Sequence, residues 1–291
     1  MTEPMQPDAI AAPSRRNPVS KATPRRGRRR SALEGALACA LACAIACTLA
    51  CAPARVHAQA RALEVRIAGQ EALAPKWVYL RNSVVGICPD ILAAVERIEP
   101  RLRFAGYRQS RSLPGIEAGL DGGSVDVACA LIASERRQAI AERVGPAVYV
   151  VRHRLAARSD DAIEVRSVTE LARMGALVVG QRGGVFVGTL RAAGVRIDDA
   201  TDDNGVNLRK VLAGHGRFVE MNEITMQHYL RSDVFEGRLR ILPVVIGTEP
   251  AYFWVSRKAD PAIARLLGPA LERLKASGEL DRIYAQRTSS P

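Results

Sequence analysis

Four residues at the end of an apolar segment lie where a ligand would be, and the two arginines among them have the chemistry to hold an anion. Residues 125–132 (Val-Asp-Val-Ala-Cys-Ala-Leu-Ile) are mostly apolar, as expected for a strand covered on both faces. Ser134, Glu135, Arg136 and Arg137 follow it. In open α/β sheets, ligands sit just beyond the carboxyl ends of the strands. The planar fork of an arginine suits a carboxylate held by two parallel hydrogen bonds; the bland alternative is an arginine that caps an exposed turn. Trp77 and Tyr79 stand in a loop after the first strand, where an aromatic pair either lines a pocket wall or packs locally. Gly183 and Gly184 form a glycine turn ahead of a helix, an arrangement that offers backbone N–H groups to an anion. That turn is neither a GxGxxG nor a P-loop pattern, so nucleotide binding is not supported. His153, His215 and His228 fall in no recognisable motif and read as structural or exposed.

The elements that must position these residues follow from periodicity. Residues 63–68 alternate apolar and polar, a strand pattern. Pro89 and Asp90 suit the first turn of a helix whose stripe is Ile91, Leu92, Val95 and Ile98. A second strand at 102–107 and a short helix at 113–120 lead to the strand at 125–132, giving β-α-β-α-β. An extended segment at 147–157 ends in Ser159-Asp160-Asp161, where the chain is expected to pass into a second lobe. That lobe repeats the pattern, beginning with a helix at 167–174 that has Ser167 and Glu170 at capping-box spacing. A strand at 239–246 leaves it, residues 247–250 cross back, and 251–256 is a strand. A long helix follows with Ile263, Leu266, Leu267, Leu271 and Leu274 on one face. The expected division is 61–157 for the first part of lobe one, 158–246 for lobe two, and 247–288 for the return.

The formal charge of +12 is divided between a basic leader and the rest of the chain. Residues 1–58 hold nine Arg or Lys against three acids, and the remaining 233 residues spread a net +6 without a basic block or helix-turn-helix. No nucleic-acid partner is expected. Arg25 to Arg30 are followed by an uncharged run rich in Ala, Leu and Cys, then by Val56-His-Ala58. This is the three-part pattern of a cleaved secretory signal peptide with a long basic amino-terminal region. A lipid anchor or a retained membrane helix is the lesser alternative. Cys39, Cys43, Cys47 and Cys51 lie inside that leader with no His, Asp or Glu beside them, so no metal site is expected. Cys88 and Cys129 remain. They read as two small buried residues, with a disulfide as the candidate alternative that export permits.

The set of motifs resembles the periplasmic solute-binding proteins of family 3, polar amino-acid receptors with the two-lobed type 2 periplasmic-binding fold. The matching stretches are Val85-Gly-Ile-Cys-Pro-Asp-Ile-Leu92, residues 126–137, Val178-Val-Gly-Gln-Arg-Gly-Gly184, Gly216-Arg217 and residues 255–284. The resemblance implies an α/β fold in which each lobe is a mostly parallel sheet flanked by helices, with two crossover segments. It implies that Arg137, or Arg136, grips a ligand carboxylate beside Ser134. It places Gly183 and Gly184 at the second-lobe turn that helps to hold that carboxylate, and Glu220 or Glu223 where an acid holds an ammonium. Val185 and Val219 stand where the family has Thr and Asp. The implied activity is non-catalytic capture of a small polar, carboxylate-bearing solute by a periplasmic monomer. Its partner would be a membrane permease or another periplasmic protein, and no cofactor is implied. Two relatives offer alternatives: accessory proteins of quinoprotein dehydrogenases, and dehydratase-like enzymes in which Glu220 or Glu223 would be the acid.

Overall fold

A computed structural model describes residues 62–289; the leader expected over residues 1–58 lies outside the described residues. Two lobes share one pair of long strands. The strands used below are β1 (Leu63–Arg66), β2 (Leu102–Ala105), β3 (Val127–Ile132), β4 (Ala141–Arg158), β5 (Leu177–Val179), β6 (Arg196–Asp198), β7 (Phe218–Asn222) and β8 (Leu239–Ser256). The helices are α1 (Ile87–Ile98), α2 (Leu113–Gly122), α3 (Glu135–Ile140), α4 (Val168–Arg173), α5 (Val185–Ala192), α6 (Asn204–Leu212), α7 (Glu223–Leu230), α8 (Pro261–Ala276) and α9 (Glu279–Ser289).

The main sheet runs β6-β5-β7-β4-β8-β3, and a single parallel bridge, Ile67 to Val127, links the β1-β2 pair to its edge. Pairing is parallel in β1-β2, β6-β5 and β5-β7. Each pair that contains β4 or β8 is antiparallel. The chain leaves the first lobe on β4 and returns on β8, so these strands must run in opposite directions. Residues 247–250, read from sequence as a crossing, lie within β8: Gly247 pairs with His153, Thr248 with Arg152 and Pro250 with Val150.

Side-chain alternation along the strands fills separate cores on the two sheet faces. Val127 and Cys129 pack with α1 and α8, whereas Ala128 and Leu131 pack with α2 and Trp254. In the second lobe Leu155, Val178 and Phe218 face α5, while Ala156, Val179 and Val219 face α6 and Met226 of α7. Ser167 caps α4, accepting from the Glu170 backbone N–H at 3.1 Å, while the Glu170 carboxylate accepts from the Arg166 N–H at 2.8 Å.

Cys88 in the first turn of α1 and Cys129 in β3 form a disulfide. The reading as two free buried residues therefore gives way. The apolar face of α1 lies against β3 in the first-lobe core, which brings the two sulfurs together. A second departure from expectation is α3. Ser134 accepts from the Arg137 N–H at 3.2 Å and starts a helix over residues read as a polar exit. No helix among the described residues is long and apolar enough to cross a membrane.

Candidate functional site

A cleft of about 860 Å³, its open mouth included, lies between the lobes. The carboxyl end of β3 and the loop after β1 form its first-lobe wall through Gln70, Lys76, Ala130 and Arg137. The second-lobe wall comes from the start of α5, Asn204 of α6, and the junction of β7 with α7. The middle of β4, Tyr149 to His153, crosses the floor. The lobes touch at the rim. The Asn204 amide donates to the Ala72 carbonyl at 2.9 Å, and Ile224 packs against the first-lobe core. Gly183 has φ +74°, and a Cβ there would lie 3.1 Å from Pro114 of α2, so only glycine fits without strain.

Arg137 is 1% exposed. Its Nε lies 3.0 Å from Glu117 Oε1, and its Nη1 donates to the Ile132 carbonyl at 2.7 Å. Burial lowers its pKa, opposed by the charges of Glu117 and Glu249. Arg136 lies at the surface and donates to the same Glu117 at 3.1 Å.

Lys76 is 2% exposed. Its Nζ donates to Gln70 Oε1 at 3.1 Å and to the Ala130 carbonyl at 2.8 Å. Both acceptors are uncharged. Burial, reinforced by the nearby charge of Arg137, holds its ammonium well below the usual lysine range. Ala130 has φ +54°, a left-handed conformation that is uncommon for a residue with a Cβ. Backbone strain of this kind clusters at ligand sites, and here it occurs at the residue whose carbonyl holds Lys76.

His153 links the two crossing strands to the second lobe. Its Nδ1 lies 2.7 Å from Glu220 Oε1 on β7, and its Nε2 is at ion-pair distance, 3.3 Å, from Glu249 Oε2 on β8. Phe186 of α5 stacks on the imidazole, with ring centroids 4.1 Å apart. Gly247 makes room for that ring, because a Cβ there would sit 2.2 Å from Phe186. Burial opposes the charge on His153, but hydrogen bonding to Glu220 and Glu249 wins and raises its pKa to about 9. Glu223 pairs with Arg152 at 3.0 Å and with Arg154.

Of the residues singled out from sequence, Arg137, Gly184, Glu220 and Glu223 line the cleft. The Gly184 N–H is already used within the turn, donating to the Gln181 carbonyl at 3.0 Å. The first-turn residues of α5, Val185 to Val187, line the cleft without a side-chain cap. Ser134, Arg136, Gly183, Trp77 and Tyr79 lie outside its lining. Trp77 is buried in the first-lobe core, 6.1 Å from the ring of Tyr107. The Tyr79 hydroxyl is buried against Gly69 and has no hydrogen-bond partner. Lys76, Gln70, His153 and Asn204 line the cleft without having been singled out. Lys76 stands between Pro75 and Trp77 in an otherwise apolar stretch, which is the one signal that marked it.

The model of the family described as bacterial extracellular solute-binding proteins, family 3, matches residues 65–288. No curated protein matches the sequence. Several solved structures share the fold. A mutant of ArgBP from T. maritima aligns with a TM-score of 0.67 at 16% identity, covering 78% of this chain and 96% of that one. A histidine kinase sensor domain with similarity to periplasmic binding proteins gives 0.68 at 19% identity, covering 78% and 96%. ArtJ, the arginine-, lysine-, histidine-binding protein of Geobacillus stearothermophilus, gives 0.66 at 15% identity, again covering 78% and 96%.

Proposed function

The chain belongs to the bacterial extracellular solute-binding proteins, family 3, and on that premise we propose that it captures a small polar, carboxylate-bearing solute between its lobes for an ABC-type transporter. As in its family, capture rather than turnover is the activity. One observation carries the finer reading: the cleft has buried cations, Lys76 and Arg137, on its first-lobe side, and the carboxylates Glu220 and Glu223 on its second-lobe side. A solute carboxylate belongs at the first wall, and its donor groups at the second. Closure about β4 and β8 expels water and strengthens both sets of contacts. The leader exports the chain, which works as a monomer and presents its closed form to a membrane permease.

A thermal-shift screen of the purified protein against amino acids, organic acids and polyamines tests this reading. A solute that binds the folded form raises the melting temperature, by about 2.7 kcal/mol of added stability at a hundred times its dissociation constant. A flat response across all three classes rejects it.

A further inference from the structure

We propose that Lys76, rather than Arg137, receives the solute's carboxylate, and that the cleft therefore favours an anionic solute over its neutral isostere. This rests on the solute-binding reading above and names the ligand class for the same site.

Charge matching around the cleft leads to this assignment. Arg137 already faces Glu117 at 3.0 Å and gives Nη1 to the Ile132 carbonyl. His153 lies between Glu220 and Glu249. Arg152 and Arg154 share Glu223. Arg136 also shares Glu117, and among the described residues Lys76 is the cation of the cleft wall that has only neutral acceptors. No carboxylate of the described residues forms an ion pair with it. Its neighbours are neutral acceptors, Gln70 and the Ala130 carbonyl, and the one charge acting on it is the like charge of Arg137.

A buried ammonium is stable only when an anion and hydrogen bonds replace its water. Two of its three N–H groups are placed here by the protein, which leaves one N–H and the whole positive charge for the solute. The strained carbonyl of Ala130 fixes the direction of the amine before the solute arrives.

Isosteric pairs that differ by one charge provide the test: L-glutamate against L-glutamine, and lactate against lactamide, titrated calorimetrically into the full chain at pH 7. The expected result is that an anionic member binds at least about tenfold more tightly than its neutral isostere, a factor worth about 1.4 kcal/mol. Lys76→Met should remove that preference, while Glu117→Gln should leave the anionic member favoured. Equal binding of the isosteres, or an unchanged preference in Lys76→Met, would each overturn the assignment while leaving capture of a solute intact. If no probe of any charge class binds, the solute-binding reading fails and the assignment fails with it.

Discussion

Two buried cations stand on the same wall of the cleft and meet opposite electrostatic fates. Arg137 and Lys76 are 1% and 2% exposed, so both have lost nearly all of their water. Arg137 regains part of the loss within the protein, from the charge of Glu117 and from the Ile132 carbonyl. Lys76 regains only two bonds to neutral oxygens and faces a like charge. Burial sets the same demand for both, and the partners decide whether a side chain is finished in the free protein. An ion pair completed internally supports the fold; a cation left without a counter-ion is available to a solute.

Removing the internal partner should break this contrast with the largest effect. Glu117→Gln leaves the Arg137 charge buried beside an uncharged amide. Breaking a buried pair at one end costs about 3–5 kcal/mol. Urea unfolding should show that loss, and a midpoint within experimental error of wild type would mean that Arg137 draws its stabilisation from elsewhere.

The disulfide supports the Lys76 side of the comparison. Cys129 immediately precedes Ala130, and its bond to Cys88 ties that part of β3 to α1. It closes a loop with a sequence separation of 41 residues, worth about 4 kcal/mol in the chain-entropy model. The double substitution Cys88→Ser with Cys129→Ser should lower unfolding free energy by about 3–4 kcal/mol and weaken anion binding through the loosened Ala130 carbonyl. The fold prediction stands, and the binding prediction is withdrawn, if stability falls while the affinity of an anionic solute is unchanged.

The fold was legible in the sequence because apolar alternation and helix stripes depend on burial, which neighbours in the chain report directly. Ile91, Leu92 and Val95 read as one face of a helix and do pack together in the first-lobe core. The cleft was legible only in part. Arg137 could be found because it follows a strand end, and Glu220 and Glu223 because a resemblance marked their positions. Trp77 and Tyr79 were candidate wall residues, yet the loop carries them away from the cleft and brings in Lys76 instead. Loop direction depends on contacts far apart in sequence: Lys76 meets Ala130, 54 residues later, and His153 meets Glu220 and Glu249 on two other strands. The Arg137–Glu117 pair was hidden for the same reason, since its members lie on different helices.

His153 gives the comparison a dependence on pH. Its folded pKa of about 9 lies above the ordinary value of 6.5. The stability it supplies is therefore complete below about pH 6.5 and is lost as pH rises through 9, at most about 3 kcal/mol for a shift of this size. Lys76 has the opposite sign. Its folded pKa is depressed, so the unfolded chain binds the extra proton and stability rises with pH from the folded value toward about 10.4. The two slopes oppose each other wherever their windows overlap, so Lys76 offsets part of the fall that His153 imposes. His153→Gln should remove the falling component between pH 6.5 and 9, as measured by urea unfolding at pH 6.5, 7.5 and 9. The same falling slope in wild type and His153→Gln would show that the imidazole is not the titrating group.

Lys76→Met should give the smallest change in stability and the sharpest contrast with Glu117→Gln. Methionine is nearly isosteric with the aliphatic part of lysine and removes an unmatched buried charge, a gain in folding free energy. It also leaves Gln70 Oε1 and the Ala130 carbonyl without their donor, a cost of about 1–3 kcal/mol per unsatisfied group at full burial. The two terms oppose each other, and the net change should stay within about 1 kcal/mol of wild type at pH 7. Above pH 7 the variant's stability should fall with pH, because only the His153 slope remains. A loss of 3 kcal/mol or more would place Lys76 with Arg137, as a cation the fold itself depends on.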